Sequence, residues 1–407
     1  MTSSTAAHEA VVEVARTSYG RLVAYVASQT GDLAGAEDAL ADAFEAAVRT
    51  WPVKGVPDRP VSWMITAAKR SMIGQQRRDG TAQRAAPTLA LLADERADVA
   101  DAAVPDKRLE LLFACAHPAI DATMHAPLML QAVFGIDAAR MSAVFLVEPA
   151  TLGQRLVRAK RKIADARIPF ALPEVEDIEP RTGAVLDAIF AAYGTGWEDP
   201  TGLDPGRVGL TDEAVRLADV LVELRPEDPE VLGLAALLHH LEARSAARRD
   251  DTGQFVPLAL QDPWRWSPVH LAAAEQLLNR SLATGALGPY ALMASIASVH
   301  NRRVIDSAIN WPVIAALYDR LLPLRPVVGV AVARAAAHLE AGSIDTAADG
   351  LAAIDASLVE GHQPYWTVLA EVADRRHDTA TRDVARDHAL RLSTDPAVRA
   401  HLEARWR

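Results

Sequence analysis

Apolar residues recur at spacings of three and four through most of this chain, the period of an amphipathic helix, and Gly and Pro are sparse within the periodic stretches. A first helix is predicted over Val11–Gln29, broken at Gly31-Asp32, and a second from Leu33 to Trp51, stopped by Pro52. On the second helix Leu33, Leu40, Phe44, Val48 and Trp51 form the expected packing stripe, with Glu37, Asp38, Asp42 and Glu45 gathered beside it. The loop VKGVPDRP leads to a third predicted helix, Ser62–Arg78. Its apolar face is Met64, Ile65, Ala68 and Met72, and the opposite arc carries Trp63, Thr66, Lys69, Arg70 and Arg77.

Residues 79–106 lose this periodicity, carry six acidic residues against two basic, and read as a linker with a short helix at Leu89–Asp94. Residues 107–168 form a second helical module that ends in DAARMSAVFLVEPATLGQRLVRAKRKIADA, a helix, a tight connection and a helix rich in Arg and Lys. At 100° per residue, Leu156, Ala159 and Ile163 fall within about 40° of Leu152 and can pack with it. Thr151, Gln154, Arg155, Arg158, Arg161 and Lys162 cluster on the other side, and Pro149 stands where a first-turn proline starts a helix. That is the layout of a helix-turn-helix, whose second helix enters the DNA major groove with Arg and Gln toward base edges. A solvated basic helix is the plainer alternative.

A Pro- and Glu-rich hinge is expected over 169–180, and from 181 onward the helices come in pairs. Leu217, Asp219, Leu221, Leu224, Arg225 and Pro226 recur one hundred residues later as Leu317, Asp319, Leu321, Leu324, Arg325 and Pro326, each set followed by another Ala/Leu-rich helix. A helix closed by Pro and answered by a second helix, repeated, suggests a tetratricopeptide-like solenoid, with an irregular helical bundle as the alternative.

Composition narrows the function. The net charge of −11 is unevenly spread: residues 1–170 hold 20 Lys and Arg against 19 Asp and Glu, and the remainder holds 22 against 34. The basic residues of the first part concentrate at Lys69–Arg78 and Arg155–Arg167, local footprints suited to phosphate. No apolar run has the length needed to span a bilayer, the start MTSSTAAHEA has no signal-peptide pattern, and the single cysteine, Cys115, fits a reducing cytoplasm. No membrane association is therefore expected.

An aromatic among cations, as at Trp63, suits single-stranded nucleic acid, where bases stack on the ring and cations take phosphates; the other reading makes Trp63 ordinary core. The acidic face of the second helix would repel phosphate and is better suited to a basic protein partner, unless it is only solvated surface. Enzyme chemistry finds little support. Cys115 and His117 lack a partner motif, His239 and His240 point about 100° apart on their helix, and no phosphate-cradling Gly loop is present. Neither a catalytic residue, a metal site nor a cofactor is expected.

The segments AEDALADAFEAAVRTWP, RPVSWMITAAKR and ATLGQRLVRAKRKIADARIPF resemble the extracytoplasmic-function (group 4, sigma-70 family) sigma factors of bacterial RNA polymerase. The likeness is to the subgroup with a tetratricopeptide-like C-terminal extension, and GPYALMASIASVH and WPVIAALYDRLL extend it over essentially the whole chain. The resemblance implies an all-α protein: a region-2 domain (8–78), a linker (79–106), a region-4 helix-turn-helix domain (107–168), a hinge (169–180) and a helical extension (181–407). It implies core RNA polymerase and promoter DNA as partners, through the β′ coiled coil and the β flap, and leaves a protein or peptide partner for the extension. Glu37, Asp38, Asp42, Phe44 and Glu45 would dock on polymerase. Trp63, Thr66, Lys69, Arg70 and Arg77 would hold the −10 element, and the six residues from Thr151 to Lys162 named above would read the −35 element. The alternative is a helix-turn-helix regulator with a helical-repeat sensor domain that never joins polymerase as a sigma subunit. The chain departs from the subgroup in keeping one cysteine before His117-Pro118, in Asp137–Met141 of the first helix of the helix-turn-helix, and in Leu260–Trp266 of the extension.

Overall fold

The structure, a computed structural model, describes residues 3–78, 105–145, 147–197, 209–306 and 308–406; the short helix expected at Leu89–Asp94 lies outside them. Among the described residues all regular structure is helical, apart from one isolated bridge between Arg249 and Phe255, so the fold is all-α and of the helical-repeat kind. The chain divides into two compact units, Met1–Leu217 and Ala218–Arg407.

In the first unit α1 (Ser3–Thr30), α2 (Leu33–Lys54) and α3 (Pro60–Arg78) pack on one another. Gly31, with φ of +71°, ends α1, and the Asp32 side chain caps α2 by accepting from the Gly35 N–H at 3.0 Å. Pro52 does not stop α2. A proline so close to the end removes one N–H, which only the last turn feels, and the helix runs on to Lys54, where the Gly55 N–H closes on the Trp51 carbonyl at 2.9 Å. The third helix begins two residues before Ser62 because Pro60 takes the first-turn position.

The buried face of α2 is Leu33, Ala36, Ala39, Leu40, Ala43, Ala47 and Trp51, not the stripe expected from its large residues. It is rotated toward the alanines by about 50° on the helical wheel, leaving Val48 exposed and Phe44 half-buried.

The second module follows with α4 (Arg108–Cys115), α5 (Ala122–Ala132), α6 (Ala138–Phe145) and α7 (Pro149–Asp165). Then α8 (Val175–Trp197) runs straight through Pro180 and packs on α4 and α5, burying Ile178, Val185, Leu186 and Ile189. The latter half of the expected hinge is therefore helix. Its proline sits near the helix start, where few backbone bonds are lost, and the apolar face behind it belongs to the core of the second module. The division into compact units falls inside α9 (Leu210–Leu224) rather than at residue 181.

The second unit stacks α10 (Pro229–Glu242), α11 (Pro268–Ala283), α12 (Pro289–Asn301), the short α13 (Arg303–Asp306), α14 (Trp311–Leu324), α15 (Val328–Glu340), α16 (Ile344–Ala352), α17 (Gln363–Arg375), α18 (Thr379–Leu392) and α19 (Pro396–Arg405). Helix α15 shows how it propagates. Val330 and Ala337 join the cluster made with Leu292, Ile296, Ile314 and Leu321, while Val332, Ala335 and Leu339 join the next, with Ala347, Leu351 and Val372. One helix serving two successive cores is what lets a solenoid grow by neighbours alone. The hundred-residue echo is structural too: His239 Nε2 lies 3.0 Å from Asp219 Oδ1, and His338 Nε2 lies 3.0 Å from Asp319 Oδ1.

Candidate nucleic-acid interface

Helix α7 is built as two faces. It packs on α5 and α6, and its buried residues are Leu152, Leu156, Ala159, Lys160 and Ile163. Thr151, Gln154, Arg155, Arg158, Arg161 and Lys162 are all exposed together on the other side. Pro149 occupies the first turn, where its missing N–H costs nothing. Arg158 Nε reaches back to the Gln154 carbonyl at 3.4 Å, and no ion pair holds Arg155, Arg158, Arg161 or Lys162 among the described residues. Four guanidinium or ammonium groups left to solvent on one helix face make a surface that can exchange counterions for phosphates.

Lys160 behaves differently from its neighbours. Its ammonium forms an ion pair with Glu37 of α2, with only 10% and 15% of the two side chains exposed. Burial raises the Glu37 carboxyl above the usual carboxylate range, and the Lys160 ammonium pulls it the other way. The pair joins the two modules of the first unit, next to the fully buried Cys115, whose thiol burial pushes far up. Glu37 is therefore not part of an open acidic surface. The signal for this lay in the wheel positions, since Lys160 and Glu37 each stand at the edge of the apolar stripe of their own helix.

The remaining acidic residues of α2 stay outside. Asp38, Asp42 and Glu45 are exposed; Asp42 accepts from the Ser71 hydroxyl of α3, and Glu45 lies 3.8 Å from Arg49. On α3 the expected apolar face is buried as Met64, Ile65, Ala68 and Met72. The opposite arc is divided. Trp63 is half-buried and meets Trp51 edge to face at 5.4 Å, Thr66 and Arg70 are exposed, and the Arg77 side chain lies outside the described ones. Lys69 is 9% exposed, with its ammonium 5.6 Å above the Tyr25 ring. The expectation that Lys69 stands on an outward cationic arc is thus overturned: its stem packs within the three-helix module and its charge rests on an aromatic face.

The residues weighed for chemistry are separated. The His239 and His240 rings diverge, the first to Asp219 and to His270, whose Nδ1 is 2.8 Å away, the second to Asn301 at 3.1 Å. Burial, then the Arg244 guanidinium, pushes His240 down to about 3. Cys115 is buried, whereas His117 is partly exposed and accepts from the Ala119 N–H. Among the described residues no three His, Cys, Asp or Glu side chains gather as a metal site would need, and no helix is long and apolar enough to cross a membrane.

Residues 181–282 match a family of unknown function, DUF6596. An uncharacterized protein of Rhizobium meliloti (strain 1021) is 35% identical over 309 residues, covering 74% of this chain and 73% of that protein. The chain belongs to the same family as that protein. No solved structure matches it.

Proposed function

We propose that this protein is a sigma-type specificity subunit, which binds core RNA polymerase in the cytoplasm and carries it to promoters. It acts by binding, without covalent chemistry of its own. In this reading α6 and α7 form a DNA-binding helix-turn-helix, with Gln154, Arg155 and Arg158 toward the base edges of the −35 element and Arg161 and Lys162 on phosphates. Trp63, Thr66 and Arg70 on α3 contribute to the −10 element, and Asp38, Asp42 and Glu45 on α2 dock on polymerase. The helical repeats offer a surface for a protein or peptide partner.

The observation that carries the proposal is the division of α7 into a fully packed apolar stripe and a fully exposed row of Thr, Gln, Arg and Lys. The test is run-off transcription with purified core polymerase over a promoter library. Selective transcription that needs this protein supports the proposal, and none above core enzyme alone refutes it.

A second reading, a DNA-binding regulator with a helical-repeat sensor domain that never joins polymerase, draws on the retreat of Glu37 and Lys69 from the surfaces assigned to polymerase and to the −10 element. Co-purification with core polymerase separates the two.

A further inference from the structure

The first unit carries a solvent-open pocket of about 360 Å³ where α1, the start of α4, the turn after α5 and the start of α9 meet. Two of its walls meet in close backbone contact. A Cβ on Gly20 would sit 1.9 Å from the Val133 carbonyl oxygen, so only glycine lets α1 cross the end of α5 in direct backbone contact. Gly135, at φ of +68°, turns the chain away beneath the Tyr19 ring.

The body of the pocket is apolar, formed by Val12, Ala15, Val133, Phe134 and Leu210. The polar lining residues are Arg16, Arg108, Thr17, Tyr19 and Glu213, and the Thr17 hydroxyl is already given to the Glu13 carbonyl at 2.8 Å. Glu213 is already engaged, because Arg108, 3% exposed at its side chain, is ion-paired to it and to Asp106. Burial, and the charge of Glu37, hold the Tyr19 phenol protonated well past neutral pH. Among the described residues Arg16, by contrast, pairs with Glu13 alone, at 2.6 Å, an i,i+3 pair with 57% of the Glu13 side chain in solvent, and such pairs exchange partners at little cost.

We propose that this pocket binds a small amphipathic carboxylate, an aromatic or short aliphatic acid, with its apolar body against Val133, Phe134 and Leu210 and its carboxylate toward Arg16. The volume lies within the roughly 300–1,000 Å³ typical of ligand pockets, at the small end. An acid suits it better than an amine, because Glu213 and Arg108 already neutralise one another, whereas Arg16 can leave its exposed partner Glu13 for a ligand. The inference does not depend on the polymerase reading. Its ligand would touch α1, α4 and α9 together, and so would tighten the first unit wherever it acts.

The test uses the full-length chain with benzoate, phenylacetate and hexanoate as probes, benzyl alcohol as the uncharged counterpart, and ionic strength matched with NaCl. At least one acid should saturate in isothermal titration and raise Tm progressively with concentration, and benzyl alcohol should bind about tenfold more weakly or worse. Ala15→Phe should fill the pocket and abolish binding. Arg16→Met, which keeps the aliphatic stem, should erase the preference for acid over alcohol. If Ala15→Phe fails to fold by circular dichroism, the exposed Arg16→Met site carries the test. Absence of saturation by all three acids, equal binding of acid and alcohol by the parent, or an acid preference that survives Arg16→Met would overturn the proposal.

Discussion

Helices α3 and α7 each carry cations opposite an apolar stripe, yet they place those charges differently. On α7 the stripe is narrow and made of Leu152, Leu156, Ala159 and Ile163, with Lys160 buried at its edge, and the row from Thr151 to Lys162 on the other side stays exposed. On α3 the core is wider. It takes in Trp63 on one flank, against Trp51, and Lys69 on the other, above Tyr25. The difference lies in where the neighbours stand. Helix α3 is held by α1 and α2, which reach both Trp63 and Lys69, whereas α5, α6 and α2 hold α7 along its stripe and at Lys160 and, among the described residues, leave its outer row exposed. A long cationic side chain near a second contact line buries its stem and finds a partner for its charge. The same rule takes Lys160, at the edge of the α7 stripe, to Glu37.

The sharpest way to break this contrast is at that ion pair. Glu37→Ala leaves the Lys160 ammonium buried without its carboxylate and should cost about 3 kcal/mol or more in chemical denaturation, with much of the loss recovered in Glu37→Ala/Lys160→Met. A loss below about 0.5 kcal/mol would class the contact with exposed ion pairs. Next in size is the stripe itself: Leu156→Ala opens a cavity under α7 and should cost roughly 2–5 kcal/mol, while Arg155→Ala one position away should stay within about 0.5 kcal/mol of the parent.

For DNA the order reverses. Arg155→Ala and Arg158→Ala should each weaken promoter binding by about 1–3 kcal/mol and relax preference at one base, and Lys162→Ala should weaken all sequences alike and lower the salt slope by about one unit. Fluorescence anisotropy over a set of single-base variants at several salt concentrations reads both effects; unchanged base preference in both Arg variants removes the reading role. The smallest effect is expected at α3. Lys69→Met should change stability by no more than about 2 kcal/mol and leave single-strand affinity untouched, whereas Arg70→Ala should reduce that affinity. A Lys69→Met variant that loses single-strand binding as Arg70→Ala does would return Lys69 to the nucleic-acid surface proposed for α3.

Much of the helical layout, and the two-faced character of α7, could be read from residue order, because strong side-chain contrast at a period of 3.6 leaves one way to pack. The stripe of α2 was legible only in part. Its large residues suggested one face, but Ala36, Ala39, Ala43 and Ala47 let the neighbouring helices come close and drew the buried face toward themselves. Prolines misled in the same direction three times. Pro52, Pro60 and Pro180 read as breaks or loop, and each lies in the first turns or the last turn of a helix, where its missing N–H costs little. The place of α8 had no signal in order alone, since its apolar face belongs to α4 and α5, far earlier in the chain. A cut after Pro180 would therefore strip a wall from the second module.

By itself the sequence determined what is local: helix after helix, the caps and turns at Gly31, Asp32 and Pro149, and the opposition of packed and solvent-facing residues on α7, all set by backbone preferences and neighbours within a turn or two. Only the tertiary structure decided which charges remain on the surface. Glu37, Lys69 and Lys160 look like any other helix-flank charges until a distant helix comes within reach, and whether a charge is paired and buried or left in water depends on that neighbour.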